Sequence, residues 1–224
     1  VLDRPYKLLT FDCYGTLIDW AGGIRAGLSS LLDEAGVKAT TDEVYAAYLP
    51  IEMDLQKPPW RPYAEVLQRA VVRLGSRFGL AVNDESHRVL VDSLPAWSPF
   101  RDTNDALKRL KAKYRLAVLS NIDRDLFART AEHFDVQFDW VVTAEDVQAY
   151  KPSPNHFERI CELTGYGARD ILHAAQSLYH DIVPCTKLGR PAVWINRRNE
   201  RNDTGADPLA EFPTLAALAD ALGV

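Results

Sequence analysis

Seven polar side chains stand where a parallel α/β protein would gather them, and Asp12 is the first. It closes Lys7 to Phe11, an apolar-rich run within YKLLTFDCYGTLIDW that predicts a buried strand. A carboxylate at the carboxyl end of a strand lies where open α/β sheets place their ligand crevice. Gly15 lets the chain turn sharply just after, and Thr16 offers a hydroxyl beside the turn. A carboxylate held this way can attack carbon or phosphorus and form a covalent ester. The competing reading is an Asp that only caps the next turn. Ser120-Asn121 and Gln176-Ser177 each follow directly on a predicted strand, and Lys151 and Asp181 fall in strand-following loops or helix starts. In a parallel sheet such ends share one edge, so two carboxylates, one ammonium, two hydroxyls and two amides would converge there. One polar residue at a strand end is usually a cap. Five or more at successive ends are hard to produce by chance.

The elements that must position these groups follow from periodicity. After the opening strand, Ile24, Leu28, Leu31 and Leu32 share a helix face, with Gly36 as the stop. A second helix begins near the Thr41-Asp42 cap and runs to about Gln56, with Tyr45, Leu49 and Met53 on its apolar side. KPPWRP, Lys57 to Pro62, breaks it. Tyr63 to Phe78 and Glu85 to Leu94 read as further helices, and residues 20–97 carry no strand signal. From Pro99 strands and helices alternate. The strands are Leu116 to Leu119, Trp140 to Thr143, Ile171 to Ala175 and Ala192 to Ile195. The helices are Asn104 to Lys113, Asp123 to His133, Pro154 to Thr164, Asp181 to Leu188 and, after a polar loop from Asn196 to Asp207, Thr214 to Leu222. The expected fold is α/β, a Rossmann-like parallel sheet in residues 1–19 and 98–224, with 20–97 as an inserted helical cap.

Composition excludes several classes. The chain has 224 residues, 47% hydrophobic and 25% charged, ordinary for a soluble globular protein. A net charge of −5 without a long Lys or Arg run argues against nucleic acid as a partner. Three cysteines (Cys13, Cys161, Cys185) without CxxC spacing suggest neither a disulfide framework nor a zinc site, so a reducing cytoplasm is expected. No apolar run approaches the ~18 residues of a membrane span, and no signal-peptide pattern opens the sequence.

FDCYGTL with Asp12, VLSN with Ser120 and Asn121, AYKPSP with Lys151, and the segment around Asp181 resemble the four motifs of the haloacid dehalogenase superfamily, in order and spacing. Tyr14 resembles the type II L-2-haloacid dehalogenase branch, because the superfamily's phosphatases usually carry Asp there. The resemblance implies hydrolysis of a small halogenated carboxylic acid to a 2-hydroxy acid without cofactor or metal. Asp12 would displace the halide and form an ester that water near Asp181 then hydrolyses. Thr16 would orient Asp12, and Lys151 would keep it ionised and help bind the substrate carboxylate. Ser120 would also bind that carboxylate, and Asn121 would face the halide. Cys13, Tyr14, Gln176 and Ser177 complete the substrate-facing set on the core. Cap-containing relatives are often dimers.

Several residues keep a plainer reading beside this one. Lys151 could be a loop charge, Asp181 an N-cap, Cys13 a packed thiol and His180 an ordinary loop residue. Trp60 and Trp97 could be core or could line an apolar pocket. The sequence also departs from the family. Residues 38–56 lack the cap arginine that faces the halide, which leaves Arg61, beside Trp60, as the nearest replacement. Tyr48, Glu52 and Gln56 share one helix face, expected to be solvated. Phe157 stands where the family has Tyr, and Gln176-Ser177-Leu178 replaces a Ser/Asn pattern. A Mg²⁺-dependent phosphatase of the same fold is the second candidate. It is weakened by Tyr14 and Cys185 where oxygen ligands would be needed. A non-catalytic member that binds small anions is the third.

Overall fold

The structure, a computed structural model, describes residue 2, residues 5–35 and residues 37–224. The expected helix stop at Gly36 lies outside the described residues. Strand β1 (Leu8–Phe11) is the centre of a six-stranded sheet. β2 (Arg115–Ser120) and β3 (Trp140–Thr143) lie to one side of it, and β4 (Ile171–Ala175), β5 (Ala192–Ile195) and β6 (Glu211–Phe212) to the other. Every strand pairing is parallel, so all carboxyl ends face the same edge. β6 has only two residues and escapes periodicity, which needs several alternations to register.

Alternation along the strands feeds two cores. Leu9 and Phe11 pack on one face with Leu116, Val118, Leu107 and Leu218. Leu8 packs on the other with Leu119, Phe157, Ile160 and Cys185. The helices on the first face include α5 (Thr103–Lys111) and α10 (Leu215–Ala221); those on the second include α8 (Asn155–Thr164) and α9 (Val183–Lys187). Both faces are therefore covered, as a fully parallel sheet requires.

Between two short bridge contacts of Ile18, with Tyr14 and with Pro99, the described residues of 20–97 form helices and no strand: α1 (Trp20–Ala35), α2 (Thr41–Leu55), α3 (Tyr63–Phe78) and a short α4 (Val89–Ser93) flanked by 3₁₀ turns. Ile24, Leu28, Leu31 and Leu32 are all buried on α1. α2 begins with a capping box in which the Thr40 hydroxyl accepts from the Glu43 amide, one residue before the expected cap. α3 has no cap of its own because Pro62 precedes it. Asp123, at the start of α6 (Arg124–Ala131) in the sheet region, supplies one: its carboxylate accepts the Tyr63 and Ala64 amides at 2.7 and 2.8 Å. The Tyr150 hydroxyl donates to the Arg61 carbonyl nearby at 2.8 Å. These bonds tie the helical part across the carboxyl edge of the sheet.

Two expectations on α2 and α9 need correction. Met53 is 44% exposed, whereas Tyr48 is fully enclosed and Glu52 is 6% exposed, so the stripe expected to be solvated is largely the buried one. The chain does not enter a regular helix at Asp181. Leu178–Ile182 forms a widened turn, in which the Ile182 amide reaches back to the Ser177 carbonyl, and α9 starts after it. Such one-residue insertions recur at functional sites because they re-aim a side chain without breaking the helix.

Candidate active site

The carboxyl edge of the sheet and the helical part enclose a cavity of about 260 Å³. Asp12, Tyr14, Ser120, Asn121, Lys151 and Asp181 line it from the sheet, together with Gln176 and Ser177. At its floor the Lys151 ammonium bridges two carboxylates, donating to Asp12 Oδ1 at 2.9 Å and to Asp181 Oδ1 at 2.7 Å. Its third hydrogen goes to the Leu119 carbonyl at 2.8 Å. The Thr16 hydroxyl donates to Asp12 Oδ2 at 2.8 Å and itself accepts the Gln176 amide at 2.9 Å, which joins the β1 and β4 loops. Gly15 makes this turn with φ +99°, a conformation that side chains rarely adopt.

Lys151 is 1% exposed and Asp181 is fully buried, so neither a loop charge nor an N-cap describes them. Burial alone would neutralise all three groups. For Lys151 the two carboxylates more than offset burial and hold the ammonium charged. For Asp181 burial raises the carboxyl, but the Lys151 charge and the His173 ring outweigh it and leave it well below the usual range. For Asp12 burial again raises the carboxyl, Lys151 lowers it, Asp181 raises it, and the net direction is up. A carboxylate fixed through both oxygens beside an ammonium can act as a nucleophile.

His173 is the residue that sequence reasoning missed. It sits on β4, 2% exposed, with Nε2 donating to Asp181 Oδ1 at 3.0 Å and Nδ1 sharing a 2.9 Å hydrogen bond with the Thr10 hydroxyl. Phe157 packs edge-on against its ring with centroids 5.2 Å apart, so the position where the family carries Tyr supports the imidazole. A histidine inside ILHAA, an otherwise apolar strand, was the available signal. With Oδ1 doubly engaged, Asp181 Oδ2 is left buried and without a partner in the protein. It is an oxygen free to accept a proton from water. His156, buried behind Ser120, is pushed down to about 3 by burial and Lys151 and stays neutral.

Other expected site residues take different places. Asn121 clasps the Lys151 backbone, accepting its amide at 2.7 Å and donating to its carbonyl at 3.2 Å, so it positions Lys151 before it can face a halide. Cys13 is fully enclosed and does not reach the cavity; burial and Asp12 push its thiol well up. Trp60 and Arg61 do not line the cavity either. The Arg61 guanidinium turns back to the Leu55 carbonyl and lies 4.0 Å from Glu65. Ser177 caps the widened turn, and its hydroxyl lies 3.0 Å from Nδ1 of His180, which lines the cavity after all. Burial pushes His180 down to about 4.

On the helical side the wall consists of Trp20, Leu49, Glu52, Met53, Gln56 and Tyr63. Tyr63 donates to Glu52 Oε1 at 2.8 Å and accepts from the Trp20 indole at 3.3 Å. Burial raises the Glu52 carboxyl to about 7, against the pull of the Tyr63 bond.

The residues present do not suit a divalent ion. The Tyr14 hydroxyl is engaged with Thr130 at 2.6 Å, and Lys151 already stands between the two floor carboxylates. Among the described residues no group of three or more His, Cys, Asp or Glu side chains is arranged to hold a metal.

Comparison with known proteins gives the family. The chain matches the haloacid dehalogenase-like hydrolase family over residues 6–182. It belongs to that family. A (S)-2-haloacid dehalogenase of Pseudomonas putida is 30% identical over 211 residues, 85% of each chain. A pyrimidine 5'-nucleotidase, PynA, of Streptococcus pneumoniae is 27% identical, over 97% of this chain and 95% of its own. The L-2-haloacid dehalogenase of Xanthobacter autotrophicus, solved with chloropropionic acid covalently bound, superposes with a TM-score of 0.84. It is 16% identical and covers 97% of this chain and 98% of its own, a likeness of fold. That superposition takes in the sheet and the helical layer of this chain alike.

Proposed function

We propose that this hydrolase is a metal-independent 2-haloacid dehalogenase, with the helical layer of residues 20–97 acting as its cap. The observation that carries the reading is the floor itself: Asp12, held through both oxygens by Lys151 and Thr16, faces the cavity beside a Tyr rather than a second acid. An Asp12 oxygen attacks the carbon that bears the halogen. The C–O bond forms as the C–halogen bond breaks, and the halide leaves with the bonding pair. Water then attacks the Asp12 carboxyl carbon and gives a proton to Asp181 Oδ2, the buried unpartnered oxygen. The bond between the Asp12 carboxyl carbon and the substrate oxygen breaks, the proton on Asp181 passes to that oxygen so that a 2-hydroxy acid departs, and the remaining proton of the attacking water is released as Asp12 returns to a carboxylate. Ser120, whose hydroxyl is buried without a partner on the cavity wall, hydrogen-bonds the substrate.

The nucleotidase relative favours a second reading, a phosphatase, for which the family resemblance implies Mg²⁺. A halide-release assay with short 2-haloacids, run with and without EDTA beside a phosphate-ester panel, separates the two. We expect EDTA-insensitive halide release that falls at least about 10³-fold in Asp12→Asn. Phosphate release that EDTA abolishes, with no halide release, would promote the second reading.

A further inference from the structure

The cation that the dehalogenase reading assigns to the substrate's carboxylate is already saturated. An ammonium has three donor hydrogens. Those of Lys151 go to Asp12 at 2.9 Å, Asp181 at 2.7 Å and the Leu119 carbonyl at 2.8 Å. With both carboxylates ionised the floor is net negative, and Glu52 adds a third acid on the opposite wall. An entering carboxylate needs positive charge from elsewhere. Among the described residues that line the cavity, the remaining Arg or Lys is Arg198, on the loop after β5.

We propose that Arg198 is the residue that binds the substrate's carboxylate and selects for anionic substrates. This rests on the dehalogenase reading above for the identity of the acid. Arg198 stands on a braced loop. On one side Arg197 donates from Nε to the Thr16 carbonyl at 2.9 Å and from Nη1 to Asp102 at 2.9 Å. The Asn196 amide binds the Glu200 amide at 2.8 Å, the Glu200 carbonyl at 3.0 Å and the Glu211 carboxylate at 2.6 Å. Arg198 is not held in the same way. Its Nη1 lies 3.8 Å from Glu200, beyond hydrogen-bond distance, and Glu200 is bound instead by the Gln176 amide at 3.1 Å. The planar guanidinium offers paired donors that match a carboxylate. At 43% side-chain exposure it also meets an anion on entry. The buried Ser120 hydroxyl, unpartnered on the wall of the same cavity, is a further polar group open to a substrate.

Steady-state kinetics of wild type, Arg198→Ala and Arg198→Lys on 2-chloropropionate and 2-chloropropionamide test the assignment. Titration of the same proteins with lactate, a carboxylate that carries no halogen, supplies a readout free of turnover. In Arg198→Ala the KM for the acid should rise about tenfold, equivalent to about 1.4 kcal/mol, with the change falling on KM rather than kcat. The amide should not follow. Lactate affinity should drop by a similar factor, and Arg198→Lys should recover part of both. Equal losses for acid and amide, an unaltered lactate affinity in Arg198→Ala, or no lactate binding by the wild type would each overturn the proposal. Lactate binding that depends on Arg198 without any halide release would retain the anion site and remove the dehalogenase reading.

Discussion

The two walls of the cavity are built on opposite principles. On the sheet side the charged groups of the floor are linked to one another, while Asp181 Oδ2 and the Ser120 hydroxyl are left open. Lys151 bridges Asp12 and Asp181, Thr16 joins Asp12 to Gln176, Asn121 clasps the Lys151 backbone, and His173 joins Asp181 to Thr10. On the helical side a single acid, Glu52, accepts from Tyr63, with Tyr48 and Gln56 as its other polar neighbours and no cation beside it among the described lining residues of that wall. Interlocked charges inside a low-dielectric site cost little reorganisation during reaction, which suits the floor to chemistry. A buried acid without a cation is a liability for stability. The difference teaches that the floor is one interlocked unit while Glu52 stands nearly apart from it, so changes on each wall should leave different signatures.

The largest effect should come from Lys151→Met. It removes the shared counter-ion of two buried carboxylates and leaves both without compensation. Breaking a buried pair this way costs about 3–5 kcal/mol, measurable by urea denaturation, and halide release should fall below detection. If stability hardly changes, the floor is not the interlocked unit described.

Glu52→Gln should do the reverse. The folded carboxyl titrates near 7, above its ordinary 4.5. Its contribution is therefore fully present below pH 4.5, is lost as pH rises through 7, and leaves the native state strained above that. The difference in pKa is worth roughly 3 kcal/mol at pH 8, so Glu52→Gln should be more stable than wild type there and indistinguishable near pH 4.5. Melting temperatures across that window check the sign. A gain that is independent of pH would mean that Glu52 does not ionise in place.

The smallest effect belongs to His173→Phe. Asp181 keeps Lys151 but loses its second donor, so the hydrolytic half-reaction should slow about tenfold while alkylation of Asp12 is spared. Mass spectrometry of enzyme quenched during turnover should then find the Asp12 ester accumulated. Slowing of both steps alike would show that His173 supports the floor generally and not Asp181 alone.

Much of the fold was legible because its signals are local. β3, β4 and β5 fall where apolar runs end, and α3 spans Tyr63–Phe78 as its spacing predicts. The floor was legible because residues at parallel strand ends must share an edge. Preference was harder to read, because it depends on which face of a helix turns inward. Glu52 looked solvated in sequence, yet the Tyr63 hydroxyl makes its burial tolerable, and these two residues are separated by the KPPWRP break. Arg198 looked like one charge in a polar loop. Its placement depends on Arg197 reaching the Thr16 carbonyl, a contact between distant parts of the chain. Arg61 was the nearer choice in sequence and turns away because the Leu55 carbonyl at the end of α2 needs a donor.

The borrowed cap of α3 has a consequence for timing. The first two amides of that helix end on Asp123, a residue of the opposite layer, so the helix can keep those bonds only while the layers stay together. Lifting the layer and fraying the first turn of α3 are thus one event. Amide hydrogen exchange at Tyr63 and Ala64 becomes a clock for admission to the cavity, readable without any substrate present.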